Sequence, residues 1–292
     1  MKILLLGANG QLGTDIQQVF ADRISDSFVL KAFTRNKLNV ENIESIPKVL
    51  GKTQFDVLIN CTSYHKTDEV EDSAGKAVTI NAHAVQKMAE VCQEKRARLF
   101  HISTDYVFSG DKQTPYNETD CPAPLNVYGL TKYYGETLAQ LECELTYILR
   151  VASLFGIAGA SGKGGNFVET MIRIGKEKGE IRVVNDIKMS PTSTYSIANM
   201  ILNMIQSDTE PGIYHTVNTG EATWYEFAKE IITMAGIDAK VIPITSREFP
   251  TRALRPVYSV LDNNKVIKST STSKIDHWTV SLEKYLKKKG YI

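Results

Sequence analysis

The sequence predicts an α/β fold, in which a doubly wound parallel sheet carries a smaller, discontinuous α/β lobe. Three observations predict this fold. Short apolar runs alternate with helical patterns through the first half of the chain, which is typical of parallel strands joined by right-handed crossovers. The first run ends at a glycine-rich turn that opens a helix, and beyond residue 150 the alternation becomes less regular. We therefore expect a main domain over residues 1–150 and a second lobe after it.

The elements of the main domain follow from their apolar patterns. Strands are predicted over 3–6, 28–33, 56–60, 98–102 and 145–149, and helices over 11–20, 82–94 and 132–142. The first strand is a continuous apolar run, which suits a strand buried on both faces of a parallel sheet.

The second half is predicted to contain helices over 167–178, 195–206, 223–235 and 281–288 and a strand over 181–184. We expect residues 195–220 to pack back on the main domain, so that the second lobe comprises 151–194 and 221–292. A glycine-rich loop over 156–165 is expected to be flexible and to separate the two.

Composition and charge favour a protein that binds a small molecule. The chain has 292 residues, 42% of them hydrophobic, and a net charge of +1, which gives no reason to expect nucleic acid or a membrane as partner. Four cysteines stand far apart without Cys-x-x-Cys spacing, and five histidines are isolated, so we expect no metal site and no disulfide framework. No signal peptide precedes the first strand, and the expected location is cytoplasmic. Oligomeric state stays open, with a homodimer as one alternative.

A phosphate-binding loop is predicted at Gly7-Ala-Asn-Gly10-Gln-Leu-Gly13. Glycines between a strand and a helix let backbone N–H groups approach a pyrophosphate, and the helix N-terminus adds partial positive charge. This context makes the main domain Rossmann-like and predicts a dinucleotide cofactor. The turn after the second strand carries Arg35 rather than an acid, which favours a 2′-phosphate and hence NADPH, with NADH as the alternative.

Candidate catalytic residues lie at two places. Tyr128 and Lys132 stand at i,i+4, so they share a helix face, and the lysine charge is expected to lower the pKa of the phenol. Ser103 and Thr104 follow the fourth strand, where either hydroxyl could hydrogen-bond a substrate carbonyl. Together they form a Ser/Thr-Tyr-Lys set suited to carbonyl chemistry on a nicotinamide.

These residues resemble the extended short-chain dehydrogenase/reductase family, and within it the group of dTDP-4-dehydrorhamnose reductases. The resemblance spans nearly the whole chain and rests on the phosphate loop and on Ser103-Thr-Asp-Tyr-Val-Phe108, Asn126-Val-Tyr-Gly-Leu-Thr-Lys132, Ser190-Pro-Thr192 and Ala253-Leu-Arg-Pro256. It implies NADPH-dependent reduction of the C4 ketone of dTDP-4-dehydro-6-deoxy-L-mannose to dTDP-L-rhamnose. In that reaction Tyr128 would donate the proton, Lys132 would hold the nicotinamide ribose, and Thr104 would orient the ketone.

The same resemblance implies two sets of binding residues. The cofactor set is Gly7, Asn9, Gly10, Gln11, Leu12, Arg35, Asn39, Val40, Thr62, Ser63, Tyr64, Tyr128 and Lys132. The substrate set is Thr104, Asp105, Ser153, Asn166 and Arg255. The guanidinium of Arg255 suits either a diphosphate or a structural salt bridge. Trp224 and Phe227, at helical spacing, are expected to be core residues.

Three departures from the family pattern fall in the expected sugar-binding region. Ser153 stands where the family commonly has tryptophan, and Ile187 and Met189 replace a polar amide and a glycine. Beside the cofactor, Asn39 replaces an aspartate, and residues 61–66 are bulkier and more polar than usual. The departures favour the reaction type over one particular sugar.

Two alternatives stay open. One is a reductase, or an epimerase with tightly held NAD, that acts on a different nucleotide-linked deoxysugar. The other is a non-catalytic NADP-binding regulatory subunit, against which the complete set of Thr104, Tyr128 and Lys132 argues.

Overall fold

The computed structural model describes residues 1–23, 28–159, 165–207, 209–270 and 274–292. Its centre is a six-stranded, entirely parallel sheet in the order β10-β5-β4-β3-β1-β2. The strands are β1 (Lys2–Leu6), β2 (Val29–Phe33), β3 (Val57–Asn60), β4 (Arg98–Thr104), β5 (Thr146–Val151) and β10 (Gly212–His215). The predicted parallel α/β sheet is confirmed. Its sixth strand, β10, was not predicted.

Helices cover both faces of this sheet. They are α1 (Gln11–Arg23), α2 (Ser45–Gly51), α3 (Thr67–Val70), α4 (Ala74–Val78), α5 (Ala84–Lys95), α6 (Val127–Glu142) and α8 (Thr194–Gln206). A single π-helical turn, Thr79–His83, joins α4 to α5. The predicted helix over 132–142 in fact begins at Val127, because Asn126 caps it by accepting a hydrogen bond from the Gly129 N–H.

The side chains of β1 point alternately to the two faces of the sheet, and each face is covered by helices. Ile3 and Leu5 enter one core with α1 and α8, whereas Leu4 and Leu6 enter the opposite core with α2 and α5. All four side chains are almost fully buried, as expected for a parallel strand with helices on both faces. The sheet order changes direction between β1 and β3, and ligands of such sheets bind at this switch point, outside the carboxyl ends of the strands.

The second lobe has its own core. It contains α7 (Phe167–Lys178), α9 (Trp224–Met234), α11 (Trp278–Lys288) and the parallel pair β7 (Glu180–Val184) and β12 (Lys240–Ile244). Two short ribbons, β6 (Leu154–Phe155) with β9 (Thr192–Ser193) and β8 (Lys188–Met189) with β11 (Ala222–Thr223), and helix α10 (Asn264–Ser269) complete the elements. Phe155, Phe227 and Trp278 lie in the apolar cluster of this lobe, and their rings contact one another edge-on or tilted. Residues 160–164 of the predicted flexible loop lie outside the described residues.

Among the described residues, no helix is both long enough and apolar enough to cross a membrane.

Candidate active site

A cleft of about 440 Å³ opens at the carboxyl ends of β1, β3 and β4. It brings together most of the residues that the sequence predicts as site residues. Those that line it are Gly7, Asn9, Gly10, Gln11, Leu12, Arg35, Asn39, Val40, Thr62, Ser63, Thr104, Asp105, Tyr128, Lys132 and Ser153.

The glycine loop forms a backbone cradle at one end of the cleft. Gly7 has φ +76°, a conformation that favours glycine, and a Cβ on Gly13 would overlap the Gly7 carbonyl oxygen and the Ala8 backbone. Helix α1 starts directly after this turn and has no acidic residue in its first turn. The side-chain oxygen of Gln11 is buried there without a hydrogen-bond partner. The glycine cradle and the helix N-terminus fit the pyrophosphate of a dinucleotide, whereas the Gln11 oxygen is an acceptor and fits a donor group.

Arg35 lies at the end of β2, at the edge of the cleft beside Asn39 and Val40. Its guanidinium forms an ion pair of 2.9 Å with Glu41, and its side chain is 69% exposed. Such an exposed pair contributes little to stability, so the guanidinium can exchange Glu41 for a bound anion at small cost.

A buried amide network holds the loop after β3. The Asn60 side-chain oxygen accepts hydrogen bonds from the Thr62 N–H at 3.0 Å and from the Thr62 hydroxyl at 2.6 Å. Asn81, in the π-helical turn, accepts from the Ser63 hydroxyl and from the Tyr64 N–H. A π turn between α-helices is frequent at functional sites, and here it directs Asn81 at the loop. The loop therefore presents Thr62 and Ser63 to the cleft.

Tyr128 lies in the first turn of α6. Gly129 allows this turn to approach the 3-10 turn Asp105–Val107 closely, because a Cβ there would overlap the Tyr106 carbonyl oxygen. The Tyr106 and Tyr128 rings meet edge-on, with centroids 6.1 Å apart. Burial raises the pKa of Tyr128 to about 12, although the hydroxyls of Thr104 and Ser63 work against the rise. The phenol is therefore fully protonated at neutral pH.

Lys132 is buried one helical turn further along α6. Its ammonium nitrogen lies 2.5 Å from the Ile102 carbonyl oxygen and 3.1 Å from His101 Nε2. Burial lowers the pKa of Lys132 to about 8, against the opposing influence of Glu136 and Cys61. The expected lowering of the Tyr128 pKa is wrong for the protein alone, because desolvation outweighs the charge of a lysine that is turned toward β4.

The two hydroxyls at the end of β4, those of Ser103 and Thr104, have different partners. Thr104 donates to Asp105 at 3.0 Å and accepts from the Tyr106 N–H at 3.2 Å, which keeps its oxygen at the cleft wall. Ser103 instead donates to Glu136, which forms a fully buried ion pair of 2.7 Å with Arg150. Thr104 is thus the hydroxyl that remains for a substrate. Burial raises the pKa of the neighbouring Asp105 to about 6.

Three predicted residues do not line the cleft. The Asn166 amide caps α7 and donates to the Gly156 carbonyl oxygen at 2.9 Å. Arg255 donates to both carboxylate oxygens of Asp68, at 3.1 and 2.7 Å, so the salt bridge is the alternative observed. The Tyr64 hydroxyl donates to Glu69 at 2.8 Å.

One residue of the second lobe contacts both the core and the cleft. Trp224 is partly buried against the core of this lobe, as expected, with its ring centroid 4.7 Å from that of Phe167, and it also lines the cleft; Phe227 is buried as expected. Ser153 also lines the cleft, in a left-handed conformation with φ +44°. Met189, one of the departures from the family pattern, is buried in the core of the second lobe.

The cleft residues belong to a chain whose similarity to known proteins runs end to end. Residues 1–290 match the family described as RmlD substrate binding domain. The chain belongs to this family. A solved dTDP-4-dehydrorhamnose reductase, an RfbD ortholog from Clostridium acetobutylicum, superposes with a TM-score of 0.92 at 36% identity, over 99% of this chain and 100% of that one.

Two further relatives of this RmlD-family chain bear on cofactor and substrate. The dTDP-4-dehydrorhamnose reductase of Bacillus anthracis, solved in complex with NADP, has a TM-score of 0.90 and 35% identity over 98% of this chain and 99% of that one. A dTDP-4-keto-6-deoxy-D-glucose reductase from Streptomyces niveus is 31% identical over 96% of this chain and 94% of its own length. Both share the full length of the fold.

Proposed function

We propose that this protein reduces the C4 ketone of dTDP-4-dehydro-6-deoxy-L-mannose to dTDP-L-rhamnose with NADPH. One observation carries the proposal: Thr104, Tyr128 and Lys132 line a single cleft whose other end is a glycine phosphate loop. Relatives named as reductases of dTDP-linked keto sugars, similar over the whole chain, support it.

Thr104 and Tyr128 account for the proton that the reduction requires. The bound nicotinamide dinucleotide supplies the hydride. Thr104 orients the ketone oxygen, and Tyr128 gives its phenolic proton to that oxygen as negative charge develops there. Because the phenol is protonated at neutral pH, its proton is available when the alkoxide forms. The Tyr128 O–H bond breaks, and the O–H bond of the new C4 hydroxyl forms.

The preference for NADPH rests on Arg35. A guanidinium at the end of β2 suits a ribose 2′-phosphate, and the NADP complex of the Bacillus anthracis relative is consistent with this assignment. The pyrophosphate would lie on the backbone of Gly10, Gln11 and Leu12.

The second lobe, residues 151–194 and 221–292, is proposed to hold the sugar nucleotide. Trp224 reaches the cleft from this lobe, and Ser153 reaches it from the boundary between the lobe and the sheet. Four free cysteines and two water-soluble reactants support a cytoplasmic location.

A second candidate keeps the reaction and changes the sugar. The Streptomyces niveus relative is named for a different keto sugar at comparable identity. Ser153 favours this candidate, because a small hydroxyl at the cleft leaves room for a larger or differently oriented ring.

The test is NADPH oxidation, followed by absorbance, with a panel of dTDP-4-keto-6-deoxyhexoses. We expect turnover with the rhamnose precursor and at least tenfold lower kcat/KM with the other sugars. Highest kcat/KM with another sugar would establish the second candidate. An epimerase would convert its substrate without net consumption of NADPH. Normal NADPH binding without turnover of any sugar would favour the non-catalytic regulatory subunit.

A further inference from the structure

A chain of buried hydrogen-bonding groups runs behind the cleft from Thr62 through Asn60 and His101 to Lys132. Asn60 and His101 are fully buried, and Lys132 is 1% exposed. Asn60 Nδ2 lies 3.1 Å from His101 Nδ1, and His101 Nε2 lies 3.1 Å from the Lys132 nitrogen. Because each group has a limited set of donors and acceptors, the positions of the protons can be worked out from one end.

The backbone fixes the first step. The Thr62 N–H can only donate, and it lies 3.0 Å from Asn60 Oδ1, so the amide group of Asn60 faces His101. An amide N–H₂ is also only a donor, and His101 Nδ1 must therefore accept. Burial and the Lys132 charge hold the pKa of His101 well below its usual range, so the ring is neutral. Its one proton is then on Nε2, which faces Lys132.

The contact between His101 and Lys132 determines which protonation state of Lys132 the site favours. An ammonium group has three donors and no acceptor, so it would meet the His101 N–H donor to donor. A neutral amine can accept from His101 through its lone pair and still donate to the Ile102 carbonyl oxygen at 2.5 Å. The titratable groups facing Lys132 are Glu136, on the same helix, and Cys61, directly after β3. The Glu136 carboxylate favours the ammonium, whereas the Cys61 thiol is neutral. The His101 N–H acts in the opposite direction.

We propose that His101 is a positioning residue for Lys132: held as the Nε2–H tautomer by Asn60, it donates to the lone pair of the neutral lysine amine and so promotes loss of the lysine proton. The catalytic role rests on the proposed reductase function. After Tyr128 has given its proton to the sugar, the Lys132 ammonium gives a proton to the phenolate: one N–H bond breaks and the phenol O–H forms. His101 stabilises the amine that remains, and solvent in the cleft returns the proton to Lys132.

Two substitutions reverse the donor direction. Asn60→Asp is isosteric and places an acceptor opposite His101 Nδ1, which moves the ring proton to Nδ1 and turns Nε2 into an acceptor for the ammonium. His101→Gln lets a side-chain carbonyl oxygen face Lys132 directly. Cys61→Ala is the matched control, because it alters a half-buried neighbour of Lys132 whose thiol stays neutral: desolvation raises its pKa to about 12.

The measurement is the titration of Lys132 in the folded, cofactor-free full chain. Trace labelling with acetic anhydride from pH 6 to 11, quantified by mass spectrometry of the peptide that contains Lys132, reports the fraction of neutral amine. We expect a midpoint of about 8 for the unmodified chain. Asn60→Asp and His101→Gln should each raise it by about one pH unit or more, and Cys61→Ala should leave it unchanged.

A double variant separates the His101 route from the direct effect of the new carboxylate. If His101 transmits the effect, Asn60→Asp adds little to the shift already produced by His101→Gln. An equal shift from Asn60→Asp with and without His101, or an unchanged midpoint in both single variants, would overturn the proposal. The labelling needs no substrate, so absence of turnover with every sugar would refute the proposed function and leave this result standing. With an active enzyme, the alkaline limb of kcat should move upward in parallel with the midpoint.

Discussion

Replacement of Tyr128 by phenylalanine removes the proposed proton donor and little else. The ring keeps its edge-on contact with Tyr106, at 6.1 Å between centroids, and the helix start is held by Asn126 and Gly129 rather than by the phenol. The hydroxyls beside the phenol, those of Thr104 and Ser63, are alcohols, which are weaker acids than a phenol and do not replace the donor. General acid catalysis typically contributes 10²–10⁴-fold, so kcat should fall by about that factor, equivalent to about 3–5 kcal/mol in the barrier.

The assay is NADPH oxidation under saturating sugar, together with a binding titration of NADPH and a thermal melt. Binding and melting temperature should stay close to the values of the unmodified protein. Tyr134→Phe is the matched control, since Tyr134 lies on the same helix, is 42% exposed and does not line the cleft; its kcat should not change. A Tyr128→Phe protein that is folded, binds NADPH and retains more than a tenth of kcat would refute the assignment of the proton donor.

Three further predictions concern the cofactor loop, cofactor choice and acid stability. Arg35→Ala should raise KM for NADPH about tenfold and leave KM for NADH nearly unchanged, since it removes about 1.4 kcal/mol of phosphate contact; equal effects on both cofactors in steady-state kinetics would contradict it. Gly13→Ala should abolish NADPH binding in a fluorescence titration, because its Cβ overlaps the Gly7 carbonyl oxygen; wild-type affinity would contradict the cradle. Burial lowers the pKa of His215 from 6.5 to about 3. Below pH 6.5 this histidine is therefore protonated in the unfolded chain but neutral in the folded protein. The free energy of unfolding in urea should therefore fall between pH 6.5 and pH 5 by about 2 kcal/mol from this group, and His215→Gln should remove that part of the slope.

Much of the main domain can be predicted from the sequence, because apolar runs on parallel strands and amphipathic helices are local signals. The predicted helix over 167–178 coincides with α7, and each predicted strand of the sheet lies within two residues of the observed one at either end. β10 was missed because Gly212-Ile-Tyr-His215 has only two consecutive apolar residues, and its partner β5 is distant in sequence. β12 was missed for a related reason: its register with β7, including Pro243 opposite Val183, is purely tertiary.

The site shows the same division between local and tertiary information. Strand ends and the glycine loop predict which residues meet at the cleft, and most of them do. Trp224 packs against the core of its lobe as predicted, but its position at the cleft could not be predicted, because it depends on how the two lobes pack. The sequence predicted only that His101 does not bind a metal, and its position two residues before Ser103, near the end of β4, was the available signal. The role of His101 depends on its contact with Asn60 of β3, and the sequence alone does not show that these two side chains meet.

The pair at i,i+4 changes its meaning once burial is taken into account. In water, tyrosine and lysine have pKa values of about 10 and 10.5, so a proton would pass between them with almost no preference. In the protein, burial disfavours the charged form of each group. It therefore raises the pKa of Tyr128 to about 12 and lowers the pKa of Lys132 to about 8. The difference of four pH units corresponds to about 5 kcal/mol in favour of a proton on the phenol. In the proposed reaction, Lys132 therefore serves less to ionise Tyr128 than to return a proton to the phenolate that each turnover forms. The same burial keeps Tyr128 protonated before the next turnover.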